Sequence, residues 1–225
     1  MNRLRLLVHL RRNPSGFLLL AQLLALLLYP FFEETESGRI GLGIFGIFVL
    51  ILTMRMVRQT PFVTWLGVGI ALPAIALLLL QMLFRLPQLA VWSSGLESLF
   101  YFYAAGSLIA YMLADRHATS DELFAAGATF TLLAWAFAYL FLMIQALQPD
   151  SFAGALRGGS PRTWTELMHL SFALLSSTGM GDVLPMSGPA RGVAAIEMFA
   201  GVMYLAAVVS RLIGLTLQGR ADPGP

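Results

Sequence analysis

The chain contains no cysteine and no lysine, and it carries little charge of either sign. The absence of cysteine excludes disulfides, cysteine metal sites and thiol catalysis. Only 12% of the 225 residues are charged, about half of the fraction that is usual in a soluble domain. The small net charge of +2 does not indicate nucleic-acid binding. The information in this chain therefore lies in its apolar residues and in how they are grouped.

Long apolar runs dominate the sequence. Hydrophobic residues make up 58% of the chain, and the mean hydropathy is +0.76. Short polar breaks separate the runs, which is typical of an α-helical protein that crosses a membrane several times. We predict six spans, over residues 17–32, 40–57, 61–84, 95–114, 123–147 and 188–217.

Charged residues at the ends of the runs predict the orientation. The first run follows four arginines and ends without a small-residue cleavage site, so we predict a retained helix rather than a signal peptide. An acidic loop follows at 33–36, and Arg55 and Arg58 follow the second run. The positive-inside rule then places the N-terminal segment 1–16 and the tail 218–225 in the cytoplasm. The connection between the fifth and sixth runs lies outside.

That fifth connection contains a segment that is too short to cross a bilayer. Thr163-Trp164-Thr165-Glu166 fits a helix capping box, with Thr163 as N-cap and Glu166 reaching back to it. The helix predicted from Thr163 to Ser176 is short, and apolar helices of this length are re-entrant, interfacial or buried in the protein. Non-helical backbone at membrane depth is tolerated only where protein covers it or where it lines a water-filled path. We therefore predict a re-entrant helix over 163–176 that leads into a pore.

The next residues, Ser177-Thr178-Gly179-Met180-Gly181-Asp182, resemble the T-V-G-Y-G selectivity filter of tetrameric potassium channels. The resemblance covers about 163–215 and is closest to small bacterial potassium channels with this pore module at the C-terminal end. It implies a pore helix at 163–176, a filter at 177–182 and an inner helix at 188–217. Gly179, Gly181 and Asp182 match the family directly, and Pro185 stands where the family often has proline.

The resemblance also implies how ions are bound. Four chains would stack rings of backbone carbonyl oxygens from Ser177, Thr178, Gly179 and Met180 around K⁺, with the Ser177 hydroxyl as a further ring. Glycine tolerates positive φ, so Gly179 and Gly181 would let successive carbonyls face one axis. No cofactor is implied besides the K⁺ ions in the filter.

Met180 is the main departure from the family pattern. The family has tyrosine here, and its hydroxyl bonds to surrounding aromatic residues and braces the filter. A methionine side chain is flexible and cannot make that bond. Two outcomes stay open: a looser and less selective filter, or a Met180 side chain that packs behind the filter and leaves potassium preference intact.

The last run carries further candidate residues. Gly201 falls where the family has its hinge glycine, although glycine in membrane helices also serves close packing. Four apolar residues recur at helical spacing on one face and are predicted either to line an inner cavity or to pack against other helices: Val202, Leu205, Val209 and Ile213.

Glu197 lies off that apolar face. An ionisable residue within a span is a functional candidate by default. We predict that Glu197 forms a hydrogen bond to the pore helix of its own or a neighbouring subunit, for example through Ser171 or Ser176. In that position it would support the filter rather than bind ions.

Six spans with a C-terminal pore suggest comparison with voltage-gated channels. The fourth run, 95–114, contains Glu97 and no arginine, whereas a voltage sensor needs several. We therefore predict an all-α membrane protein with a voltage-gated-channel-like pore but no charged sensor. Its parts are a four-helix membrane domain of unknown role at 17–120 and a pore domain at 121–217.

The predicted function is passive conduction of K⁺ by a homotetramer in the bacterial inner (plasma) membrane. The predicted partners are other copies of the chain, the lipid bilayer and the permeating ion. A weakly selective monovalent cation channel, which also passes Na⁺, and a non-conducting regulatory or scaffold protein are the alternatives. A transporter would show an inverted repeat, which the sequence lacks. No metal-ligand cluster, nucleophile motif or phosphate loop indicates an enzyme.

His169 precedes Asp182 by thirteen residues, where the family often has a tryptophan that bonds the filter aspartate. A His169–Asp182 hydrogen bond would make conduction sensitive to external acid, because histidine gains a proton near neutral pH. The alternative is a His169 at the pore-helix surface without such a partner. We expect His169→Phe to abolish the acid response of ion flux into liposomes. An unchanged acid response would contradict the His169–Asp182 bond.

Overall fold

The computed structural model describes residues 14–33, 35–57, 64–84, 86–114, 120–154 and 161–221. In these ranges the chain is almost entirely helical. The helices are α1 (Pro14–Phe32), α2 (Glu36–Val57), α3 (Thr64–Phe84), α4 (Ala90–Ala114), α5 (Ser120–Leu147), α6 (Trp164–Leu175) and α7 (Gly188–Ala221). Two short strands are β1 (Phe152–Gly154) and β2 (Val183–Pro185), and single 3-10 turns lie at Pro87–Leu89 and Pro149–Ser151.

Each of the six predicted runs lies on a long helix, and helices α1 to α5 end at the residues where the predicted runs end. Four helices are long and apolar enough to cross a membrane: α1, α4, α5 and α7. Helices α2 and α3 contribute the shorter apolar stretches Ile44–Met56 and Trp65–Gln81. The described residues therefore support an α-helical, multi-pass membrane protein, and a count of six spans stays a prediction.

Helix α6 has the predicted start. The Thr163 hydroxyl oxygen accepts a hydrogen bond from the Glu166 N–H at 3.2 Å, and the Thr163 N–H donates to Glu166 Oε2 at 2.7 Å. The capping box is therefore confirmed. The helix has 12 residues, which gives it a length of ~18 Å, well below the ~30 Å of a bilayer core.

Helix α4 packs along α5 through aromatic side chains. Tyr101 lies edge-on to Trp135 at 5.5 Å and stacks on Tyr139 at 5.7 Å between ring centroids. The Ser98 hydroxyl donates to the carbonyl oxygen of Ala136 at 2.8 Å, which brings the two backbones close together. Close packing and interhelical hydrogen bonds are what hold helices together in lipid.

Helix α1 is joined to α5 at its start. The Ser15 N–H and hydroxyl both donate to the Asp121 carboxylate, at 3.1 and 2.9 Å. A carboxylate in this position satisfies a free N–H in the first turn of α1 and interacts favourably with the helix dipole. Because both residues stand at the beginnings of their helices, α1 and α5 run side by side in the same direction.

Helix α7 runs antiparallel to α5. The Tyr204 hydroxyl donates to the carbonyl oxygen of Ala126 at 2.6 Å, and Arg211 Nη2 forms an ion pair with Glu122 Oε1 at 3.0 Å. The starts of α1 and α5 therefore lie on the same side of the bundle as the C-terminal part of α7. The predicted alternation of spans requires this arrangement, and the cytoplasmic location of that side stays a prediction.

An unexpected two-stranded sheet lies between α5 and α7. Strand β1, just after α5, pairs antiparallel with β2, just after the predicted filter.

The domain boundary at residue 120 stays a prediction. The N-terminal residues 1–13, residues 155–160 of the outer loop and the tail residues 222–225 lie outside the described residues, as does the side chain of Ile213.

Candidate functional site

The chain after α6 turns back on the end of that helix. The Ser177 N–H donates to the carbonyl oxygen of Leu174 at 3.0 Å. The next two N–H groups, of Thr178 and Gly179, both donate to the carbonyl oxygen of Ala173, at 3.0 and 3.2 Å. Three successive N–H groups thus point toward the helix. Across a planar trans peptide the preceding carbonyl points the opposite way, so the carbonyls of residues 176, 177 and 178 face away from α6.

Backbone conformations alternate through this segment. Ser176 is right-handed, with φ −80° and ψ −4°, whereas Ser177 and Gly179 have positive φ values of 57° and 65°. Alternating right- and left-handed residues place successive N–H groups on one side of the chain. A left-handed serine costs on the order of 1 kcal/mol or more, so the hydrogen bonds to α6 must hold Ser177 in place.

The two glycines of the predicted filter differ in backbone conformation, and their role in directing the carbonyls stays a prediction. Gly179 has the expected positive φ, but Gly181 is not among the described residues with positive φ. The second left-handed residue is instead Ser177, because it is the residue that turns the chain out of α6. A left-handed serine is uncommon, and no sequence pattern predicts it.

The side chains of the predicted filter face outward in the single chain. Met180 is 76% exposed, so in this protomer it does not pack behind the filter. The Thr178 hydroxyl instead turns back and donates to the carbonyl oxygen of Ala173 at 3.3 Å. Ser177, Gly181 and Asp182 are exposed as well. In the single chain these side chains are therefore accessible from outside the protein.

Glu33 lies at the N-terminus of α6, where sequence reasoning did not place it. Its Oε1 accepts hydrogen bonds from the N–H groups of Trp164 at 2.9 Å and Thr165 at 3.5 Å. Tyr29, one turn earlier on α1, stacks on the Trp164 ring at 3.9 Å. A carboxylate that follows α1 and an aromatic ring of α1 therefore contact the start of α6.

Glu197 of α7 contacts helix α6. The Ser171 hydroxyl lies within hydrogen-bond distance of two acceptors, Glu197 Oε1 and the carbonyl oxygen of Ala134 at 2.7 Å. Ser171 and Glu197 are both fully buried. One hydroxyl therefore links α5, α6 and α7, and the partner is one of the two that the sequence predicts. The role of Glu197 in supporting the filter stays a prediction.

Gly201 lies where α7 crosses the end of α6. A Cβ at this position would collide with the carbonyl oxygen of Leu175 and lie 2.7 Å from its carbonyl carbon. The absence of a side chain therefore permits the close approach of the two backbones. This contact supports the packing role for Gly201, and the hinge role stays a prediction.

Two faces of α7 differ in burial. The face that contacts the protein carries Ala190, Ala194, Glu197, Gly201 and Tyr204, which are buried. The predicted cavity-lining face carries Val202, Leu205 and Val209, which are exposed in the single chain. The predicted apolar face is thus left uncovered, whether for a cavity or for another subunit.

His169 and Asp182 are both exposed, and within the described residues no hydrogen bond joins them. Their bond stays a prediction for the assembled protein.

Glu97 belongs to the fourth predicted run, whose lack of arginine excludes a charged voltage sensor. Its side chain is buried near Tyr139. It belongs to the aromatic cluster between α4 and α5, away from the predicted filter.

Replacing Glu33 should loosen the start of α6. We expect Glu33→Ala to lower the free energy of unfolding by about 0.5–2 kcal/mol, because it removes the acceptor for two N–H groups of the first turn. Glu33→Gln keeps an acceptor oxygen and loses the charge, so its effect should be smaller, about 0.3–1 kcal/mol. Thermal unfolding of the purified protein in detergent, followed by tryptophan fluorescence, measures both.

Asp150→Ala is the matched control, because Asp150 is an exposed acidic residue on the same side of the molecule. A Glu33→Ala protein as stable as the Asp150→Ala protein would contradict the capping role of Glu33.

Gly201→Ala should separate α7 from α6. The added methyl group meets backbone atoms that cannot move aside independently, so we expect a loss of about 1–3 kcal/mol in stability. Gly192→Ala is the control in the same helix, because a Cβ there has nothing within 4 Å. Equal unfolding temperatures for the two variants would contradict the close backbone approach at residue 201.

Comparison with known proteins adds one finding. Residues 126–218 match the family model described as "Ion channel". No curated protein and no solved structure matches the chain. The matched segment includes most of α5, all of α6, the segment with the outward carbonyls and nearly all of α7. The chain therefore carries a segment similar to an ion channel domain in the C-terminal part of a multi-pass membrane protein.

Proposed function

We propose that this protein is a subunit of a homotetrameric potassium channel. The observation that carries the proposal is the turn after α6, where the N–H groups of Ser177, Thr178 and Gly179 bond to the helix end. The carbonyls of residues 176–178 consequently face away from the helix, free to replace water around a cation. The carbonyls of Gly179 and Met180 complete the proposed filter.

Helix α6 contributes to the electrostatic field at the proposed filter. Its C-terminal end, which carries a partial negative charge, adjoins the filter and favours a cation there. The carbonyl oxygens of Phe172, Ala173 and Leu174 accept hydrogen bonds from the N–H groups of residues 176–179, so the residues that follow α6 hold its C-terminal end in place. Selection in this proposal is passive, by the number and spacing of carbonyl oxygens around the ion.

Four copies are proposed because one filter strand cannot surround an ion. The filter residues and the face of α7 with Val202, Leu205 and Val209 are exposed in the single chain. A fourfold arrangement would bring the four filters to one axis and let the α7 helices surround an inner cavity. Gly201 and Glu197, which are buried against the protein, hold α7 against the pore helix of the same chain.

A weakly selective monovalent cation channel is the second candidate. It is favoured by Met180, whose side chain is exposed and has no hydroxyl with which to brace the filter. A filter that widens easily would admit Na⁺ together with its residual water. The two candidates share the pore and differ in how rigidly residues 180–182 are held.

Flux into liposomes separates the candidates. With purified protein and parallel K⁺ and Na⁺ gradients, we expect K⁺ to pass and Na⁺ to pass much more slowly. Gly179→Ala should reduce K⁺ flux, because a left-handed alanine costs about 1–2 kcal/mol and disturbs the carbonyl directions. Gly192→Ala, on an exposed and open part of α7, should leave the flux unchanged.

Equal K⁺ and Na⁺ fluxes would support the weakly selective channel. No flux from an assembled, folded protein under either gradient would contradict conduction and support the non-conducting alternative. A Gly179→Ala protein that conducts like the unmodified one would contradict the proposed filter.

A further inference from the structure

We infer that the two-stranded sheet is a clamp that positions the outer end of the filter, so that Ser151 and Phe152 are positioning residues for ion selection. This inference rests on the proposed channel function. The clamp consists of residues 151–154 before the outer loop and residues 183–187 after the filter. It lies outside the pore helix and the filter, and Pro185 is the one clamp residue that the resemblance to potassium channels singles out.

The clamp is held by backbone pairing over its whole length. Phe152 pairs with Pro185, Ala153 with Leu184 and Gly154 with Val183. The carbonyl oxygen of Ser151 extends the pairing and accepts from Met186 N–H at 2.8 Å and Ser187 N–H at 3.4 Å.

Side chains reinforce the same pairing. The Ser187 hydroxyl donates to the Ser151 hydroxyl at 3.0 Å, and Ser151 is fully buried. Ser187 also begins α7, since its hydroxyl accepts from the Ala190 N–H at 3.3 Å. The segment after the filter is therefore fixed from Val183 to the first turn of α7.

The other strand is anchored to the outer helix. Phe152 is buried and lies edge-on to Phe141 of α5 at 5.3 Å between ring centroids. The Ser151 N–H donates to the carbonyl oxygen of Gln148, which follows the last residue of α5. Strand β1 therefore has little freedom to move relative to α5, and β2 is tied to it.

This anchoring matters because, among the described residues, the outer half of the proposed filter has no other support. Hydrogen bonds to α6 hold the filter as far as Gly179. In the part of the chain that the structure describes, residues 180–182 make no hydrogen bond to any other element. Met180 also lacks the hydroxyl that braces this position in potassium channels. The three residues are thus suspended between Gly179 and Val183.

The spacing of those two fixed points then controls the geometry of the filter. If Val183 moves, Met180 and its carbonyl move with it, because only three residues separate the two ends. Ion selection by carbonyl rings depends on their spacing. A loosened clamp should consequently lower the preference for K⁺ over Na⁺ before it affects assembly of the protein.

The lack of cysteine allows a direct test of the pairing. Ala153 and Leu184 are directly opposite in the ladder, where Cα atoms are about 4.5–5.5 Å apart. That separation suits a disulfide. We expect Ala153→Cys/Leu184→Cys to form an intrachain disulfide on oxidation, visible as a gel-mobility shift that each single variant lacks. Failure to form the disulfide would overturn the clamp.

The functional test first removes the contact between Phe152 and Phe141 and then links β1 to β2 by the disulfide. Phe152→Ala should lower the K⁺/Na⁺ flux ratio in liposomes. Leu147→Ala is the control, because Leu147 is a large apolar side chain at the end of α5 that is 65% exposed. Oxidised Phe152→Ala/Ala153→Cys/Leu184→Cys should regain part of the lost flux ratio, because the disulfide fixes the pairing of β1 with β2 but does not replace the contact of Phe152 with α5. Reduction should remove the gain again.

Several outcomes would overturn the clamp. One is a Phe152→Ala protein with an unchanged flux ratio, and another is a lowered ratio that the disulfide does not raise at all. Ser151→Ala, which removes one side-chain hydrogen bond and leaves Phe152 in place, should cause a smaller change in the same direction, so the test does not depend on the folding of one variant. No flux from the unmodified protein would instead contradict the proposed function, whereas disulfide formation is measured without any flux.

Discussion

Both ends of helix α6 lie within the protein, and each must find partners for backbone groups that the helix itself leaves free. At the start, Glu33 accepts from the first two N–H groups and Thr163 from the third. At the end, carbonyl oxygens accept the N–H groups of the residues that follow. Because those N–H groups turn toward the helix, their neighbouring carbonyls turn away from it. Satisfying the helix end thus produces the row of outward carbonyls on which the proposed conduction depends.

The same requirement joins the first helix to α5 and α6. Asp121 of α5 caps the start of α1, and Glu33, just after α1, caps the start of α6. Each carboxylate accepts hydrogen bonds from N–H groups that have no acceptor within their own helix. Helix α1 is consequently attached to the pore region at both of its ends, although the predicted domain boundary assigns it to a separate four-helix unit. Its position is explained by capping of helix ends rather than by apolar packing alone.

Local patterns in the sequence predict the elements well and their contacts poorly. The capping box is readable because Thr163 and Glu166 are three residues apart and act on each other. The Glu197–Ser171 contact is predictable because a buried acid on one helix must find a hydroxyl on a neighbouring one. The Glu33–Trp164 contact spans 131 residues and follows no periodicity. Strand β1 has only three residues, too few for an alternating pattern to appear.

Met180 and the clamp both affect how rigidly the outer end of the proposed filter is held. A tyrosine braces a filter through its side chain, so bracing of that kind is lost when the residue changes. Backbone pairing between β1 and β2 depends much less on the identity of the side chains, since the ladder uses N–H and C=O groups that every residue except proline supplies. A chain with such a ladder beyond its filter can carry methionine at residue 180 and still hold Val183 fixed. In the proposed channel, residues 151–154 would therefore contribute to ion selection together with the filter itself.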